Sequence, residues 1–137
     1  MNIYCTQGFK FAFEKLLKKK AHRSIEAEII EYFFNKEANQ LLSGVRLNNS
    51  SAEPYIKKRL EGSGGFRLYF LIIIKNDSLY LMFVHPKTGP GGAENIDDNY
   101  KAKIYKDVLE DIKNHNLYKL TVSEKQRNIK FNHLSNI

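Results

Sequence analysis

One block constrains this chain more than any other. Residues Phe66–Ile74 are aliphatic or aromatic at every position except Arg67. A strand apolar on both faces is covered on both, so this segment reads as the centre of a sheet. Tyr55–Leu60 precedes it across Glu61-Gly62-Ser63-Gly64-Gly65, and Leu79–His85 follows it across Lys75-Asn76-Asp77-Ser78. Turn residues at both joints, with β-branched and aromatic residues between them, predict a three-stranded antiparallel meander. Arg67 is the anomaly inside it. Phe66 and Leu68 point to the opposite face, which leaves Arg67 sharing a face with Tyr69, Leu71 and Ile73. A buried guanidinium needs a carboxylate or a phosphate. Arg67 therefore reads either as a salt bridge to a helix acid or as a preorganised phosphate clamp.

The flanks supply helices. Ile3-Tyr4-Cys5-Thr6 reads as a short opening strand, with Thr6 placed to cap a helix. Phe9, Phe13, Leu16 and Leu17 then fall on one helical face. Ser24 is a second cap, and Ile25, Ile29, Tyr32 and Phe33 repeat the spacing to about Asn35. Residues 36–54 are less regular. Leu41-Leu42 extends the helix or forms a separate turn, and Asn48–Ser51 is a loop by composition. Pro86–Asn95, with Gly89-Pro90-Gly91-Gly92, is also a loop. Asp97 or Asp98 caps a third helix to about Asn114, its apolar face made of Tyr100, Ile104, Val108, Leu109 and Ile112. Leu117–Val122 reads as a late strand, and the remainder as a mobile tail. The expected fold is α+β. A small, twisted, mainly antiparallel sheet joins the N-terminal strand to the meander. Two N-terminal helices pack on it, and a third helix follows. Residues 1–114 form the domain, and 115–137 a partly flexible extension.

Composition narrows the function. The 137 residues suit one domain. Lys and Arg number 22 against 15 Asp and Glu, a net charge of +7 that favours a polyanionic partner. No stretch approaches the roughly 20 apolar residues of a membrane span, and the start of the chain lacks a signal peptide's basic-then-apolar pattern. The lone Cys5 excludes an intramolecular disulfide framework and a cysteine-rich zinc site. It reads as a buried strand residue, and a reducing cytoplasm fits it. Histidines 22, 85, 115 and 133 lack metal-ligand spacing, and the glycine cluster after His85 lacks the Lys-Ser/Thr of a P-loop. No metal, small-molecule cofactor or membrane is expected. The informative set is cationic: Lys57, Lys58 and Arg59 on the first meander strand, Arg67 on the second, and His85 and Lys87 at the end of the third. Lys18-Lys19-Lys20 reads as a solvated helix end, which complements the helix dipole, or as an RNA contact.

The order of these pieces resembles the RelE/HigB/ParE superfamily of bacterial toxins from toxin–antitoxin pairs, its HigB/RelE-like branch in particular. The opening strand and Phe9–Leu17 look like that family's first strand and helix. Gly44-Val45-Arg46-Leu47 resembles the segment before its meander. Lys57-Lys58-Arg59-Leu60, the glycine turn and Gly65-Phe66-Arg67-Leu68-Tyr69 resemble its basic strand, turn and arginine strand. Leu79–Val84 with Pro86-Lys87 resembles its last core strand. The match covers roughly residues 3–113. It leaves the register of Lys57, Lys58 and Arg59 open by one residue, and a slip of one exchanges their faces.

The resemblance implies an endoribonuclease, independent of metal, that cleaves ribosome-bound mRNA and inhibits translation. The RNA 2′-hydroxyl attacks the neighbouring phosphorus. Arg67 would clamp the phosphate, with Lys58, Arg59, His85 and Lys87 as further catalytic candidates. Lys87 or His85 would be the acid, and a lysine with a lowered pKa the base. Lys57, Lys18, Lys19, Lys20 and Arg46 would bind RNA. A cognate antitoxin protein, mRNA and the ribosome are the implied partners. Two alternatives share the fold: a ParE-like inhibitor of DNA gyrase, and a non-catalytic RNA- or protein-binding module.

Overall fold

The computed structural model describes residues 1–60, 65–87, 96–125 and 127–134. Its elements are β1 (Asn2–Cys5), α1 (Gln7–Leu17), α2 (Ser24–Phe33), β2 (Val45–Arg46), β3 (Tyr55–Leu60), β4 (Phe66–Ile73), β5 (Ser78–Pro86), α3 (Asp98–Lys113), β6 (Tyr118–Val122) and β7 (Ile129–His133). Short 3-10 turns lie at Lys20–His22, Ala38–Leu41 and Ile74–Asn76. The expected α+β class holds. Among the described residues the sheet is larger than expected and mixed, with the order β2-β3-β4-β5-β1-β6-β7. The meander β3-β4-β5 is antiparallel, β1 runs parallel to β5, and β6 runs antiparallel to β1.

The late strand expected at Leu117–Val122 is β6, and β7 stands where a tail was expected; the two pair antiparallel and extend the sheet beyond β1. Their apolar residues are buried because the rest of the fold meets them: Leu117, Leu120 and Ile129 are all core residues. Phe131 packs on Phe13 of α1, with ring centroids 5.8 Å apart. The Glu26 carboxylate of α2 accepts from the Ile129 N–H at 2.9 Å.

Each face of the sheet carries its own layer. Phe9 and Phe13 of α1 and Ile29 and Phe33 of α2 pack on Ile56, Leu68, Phe70 and Leu81. Phe33 meets Phe70 edge-on, with centroids 5.1 Å apart. On the other face Ile104 and Val108 of α3 pack on Tyr69, Leu71, Tyr80 and Met82. The central strand is thus covered on both sides, and all eight residues of β4 are buried.

Two of the three helix starts follow the sequence reading. The Thr6 hydroxyl accepts from the Phe9 N–H at 3.1 Å, and an Asp97 carboxylate oxygen accepts from the Tyr100 N–H at 2.8 Å. Ser24 does not cap. It is already the first residue of α2, and Arg23 before it is in helical conformation with no side-chain cap bond. The chain enters α2 straight from a 3-10 turn, so no extended cap residue precedes the helix. Of the expected glycine turns, residues 61–64 and the loop residues 88–95 lie outside the described residues. Among the described residues no helix is long and apolar enough to cross a membrane.

One irregularity positions the site. The β4–β5 register pairs Phe70 with Leu81 but Tyr69 with Phe83, so Met82 is an extra residue, a β-bulge. Thr6 holds it from the next strand. Its backbone N–H donates to the Leu81 carbonyl at 3.2 Å, and its hydroxyl donates to the Met82 carbonyl at 3.4 Å.

Candidate functional site

Antiparallel pairing sets the site. Arg59 lies opposite Arg67, and Arg67 lies opposite His85. Residues directly opposite one another share a face, so these three side chains form a row across β3, β4 and β5 on the face that carries α3. The next row on the same face is Lys57, Tyr69 and Phe83. Lys87 lies one row further out, two residues beyond His85, where its N–H donates to the Gly65 carbonyl at 3.0 Å. Gly65 has φ +75°, a left-handed backbone that favours glycine. A Cβ added there would lie 3.9 Å from Arg67 Nη1, so this glycine sits at the edge of the cluster.

Strand pairing gives each cation of β3 its face. Lys57 and Arg59 belong to the row face, and Lys58 points the other way. Its ammonium sits 5.3 Å above the Tyr32 ring and 3.3 Å from the Ser43 hydroxyl. Strand alternation separates it from its neighbours. Arg46 also falls outside the cluster. It pairs with Ile56, a residue of the helix-side core, and its guanidinium is 3.5 Å from the Ser50 carbonyl. Lys18, Lys19 and Lys20 are exposed at the end of α1. Of the three, Lys19 reaches a groove that Pro86 also lines.

Burial grades the cluster. Arg67 is 2% exposed and His85 5%, whereas Arg59 is exposed and Lys57 and Lys87 are half-buried. Two arginines directly opposite one another in a sheet repel.

Sequence reasoning missed Tyr69 as a polar participant. Its hydroxyl lies 3.2 Å from His85 Nε2, and His85 Nδ1 lies 3.0 Å from the Pro86 carbonyl. A carbonyl only accepts, so Nδ1 carries the hydrogen and Nε2 accepts from the tyrosine hydroxyl. Burial pulls the His85 pKa below the ordinary 6.5. The Pro86 carbonyl opposes this, and the charges of Arg67 and Lys57 add to the lowering. These causes together favour the neutral imidazole, with its hydrogen on Nδ1, over the charged form that an acid at this position needs. Burial raises the Tyr69 phenol, against the pull of the Ile96 backbone N–H and the Arg67 charge. The one sequence signal for Tyr69 was its place one strand period from Arg67; its aromatic character read as core.

Among the described residues no group of three His, Cys, Asp or Glu side chains is placed to hold a metal ion. Cys5 is buried, and desolvation raises its thiol pKa far above the ordinary value, which suits a packing residue. No protein-family model, curated protein or solved structure matches the chain.

Proposed function

We propose that this protein is an endoribonuclease of the toxin type, cutting ribosome-bound mRNA and held in check by a cognate antitoxin. The observation that carries the reading is the Arg59–Arg67–His85 row, flanked by Lys57 and Lys87 on one sheet face. A phosphodiester laid along it would meet four cations.

In the proposed reaction the RNA 2′-hydroxyl loses its proton and its oxygen attacks the adjacent phosphorus. The bond to the 5′-oxygen breaks, leaving a 2′,3′-cyclic phosphate and a 5′-hydroxyl. Arg67 and Arg59 stabilise the extra negative charge of the phosphorane, Arg67 through its planar fork. Neutral His85, its imidazole oriented by the Pro86 carbonyl, is the final proton acceptor: the Tyr69 oxygen takes the 2′-hydroxyl proton as the Tyr69 hydroxyl proton passes to His85 Nε2. The Lys87 ammonium is the donor to the leaving oxygen.

The burial of Arg67 and His85 favours a second reading, in which the outer cations bind RNA and the buried row only braces the sheet. One set of assays separates the two. The full chain is incubated with labelled mRNA, with and without translating ribosomes, and product ends are mapped. Cyclic-phosphate ends are expected. Arg67→Lys, which keeps the charge and loses the fork, should slow cleavage by about 10²- to 10³-fold. Arg59→Ala should slow it by roughly tenfold. RNA that binds and is not cut, with weaker binding in Arg59→Ala, supports the binding module. Inhibition of gyrase supercoiling with intact RNA supports the ParE-like alternative.

A further inference from the structure

Phe83, the ring beside His85, also lines a groove that the proposed chemistry does not use. This groove, about 310 Å³, lies between α1, the end of β5 and the start of α3. Phe83 and Pro86 lie on its β5 side. The Phe83 and His85 ring centroids are 5.9 Å apart. Tyr100, in the first turn of α3, meets Phe83 edge-on at 5.2 Å and is 37% exposed, although the sequence spacing assigned it to the core. Phe11 lines the groove from α1 and is 70% exposed. The packing of α1 does not account for Phe11, since the helix buries Phe9, Phe13 and Leu16. Lys15 of α1 and Lys19, two residues past the end of that helix, complete the rim.

We infer that this groove receives the unstacked base of a nucleotide next to the scissile phosphate, held between Phe11 and Tyr100, with Lys15 and Lys19 taking the following phosphates. The inference rests on the proposed ribonuclease reading and names its substrate as single-stranded RNA with at least one splayed nucleotide. Exposed rings with interleaved lysines are the chemistry of single-strand binding, in which bases stack on aromatics and cations follow the backbone. The track also has a direction. The neighbouring cleft, which shares Phe83 and Tyr100, is lined by Asp107, Glu110 and Asp111 against one lysine, Lys103, paired with Asp107 at 2.7 Å, and its excess of carboxylates disfavours phosphate. The α1 side, with its two lysines, is complementary to a polyanion.

The chain has no tryptophan, so Phe11→Trp places a single reporter at an exposed position. The full-length variant is titrated with a 2′-O-methyl RNA hexamer, which cannot be cut, and with the same hexamer carrying abasic sites. Anisotropy of an end label reports binding independently. Intact RNA should quench the tryptophan and the abasic strand should not. Phe11→Ser should weaken binding roughly tenfold, and Lys15→Gln with Lys19→Gln should flatten its salt dependence. RNA that binds or is cut with no change in tryptophan emission overturns the groove assignment and leaves the ribonuclease reading intact. Quenching without cleavage of ordinary RNA overturns the ribonuclease and keeps the groove. Emission that shifts with an acidic amphipathic peptide and not with RNA overturns the inference in favour of a protein partner.

Discussion

The two faces of β4 are equally buried and built for opposite ends. On the helix side Leu68, Phe70 and Ile72 meet only apolar partners from α1 and α2. On the α3 side the strand begins cationic, with Arg67 between Arg59 and His85, and ends apolar, with Leu71 against Tyr80. The first face stabilises the fold. The second sets Arg59, Arg67 and His85 in one row at one end. A polar row of this kind sits in the sheet without loosening its centre, because the opposite face holds the strands in register.

The contrast is open to direct attack. Phe70→Ala should have the largest effect on stability, about 3–5 kcal/mol, since it leaves a cavity against Phe33; urea denaturation measures it. Arg67→Lys, three residues earlier, should shift the same curve by less than about 1 kcal/mol while cleavage collapses. Equal losses of stability in the two variants would break the distinction between the faces.

Thr6→Val tests the link between them. Thr6 caps α1 on one side and holds the Met82 bulge on the other. Its loss should cost about 1–2 kcal/mol by thermal or urea unfolding. Cleavage should also fall, because the bulge aims His85; unchanged cleavage would show that the bulge holds without Thr6.

The smallest expected effect is on pH dependence. The folded-state pKa of His85 is lowered, so the unfolded chain binds the extra proton first. Its contribution to stability is full above the ordinary value of 6.5 and is lost as pH falls toward the lowered folded value. Melting temperatures of the parent and of His85→Gln between pH 8 and pH 5 should diverge at the acid end, the parent losing more. Parallel curves would mean that His85 is not held neutral in the folded protein.

Much of the fold was legible residue by residue. The apolar run Phe66–Ile74 marked the central strand because burial on both faces leaves no polar position in a strand. The i, i+4, i+7 spacings marked α1 and α2, and Thr6 and Asp97 carried their capping chemistry in the side chain. Strand β6 was legible but β7 was not, because its few apolar residues find cover only where Phe13 and β6 come to meet them. Ser24 misled because capping depends on the conformation of the preceding turn as much as on the residue itself.

The site divides in the same way. Sequence alone determined that Arg67 lies on the face of Tyr69 and Leu71, since alternation within one strand is a local rule. It did not determine which partners stand beside Arg67. Counting by twos from Leu79 and Leu81 puts His85 on the helix side, with the apolar core. The extra residue at Met82 reverses that count and brings His85 to the cations, and the bulge exists only in the pairing of β5 with β4 and its bonds to Thr6. Strand pairing likewise separated Lys57 and Arg59 from Lys58. Side-chain facing is written within a strand; the register between strands, which decides neighbours, is settled only when the sheet is assembled.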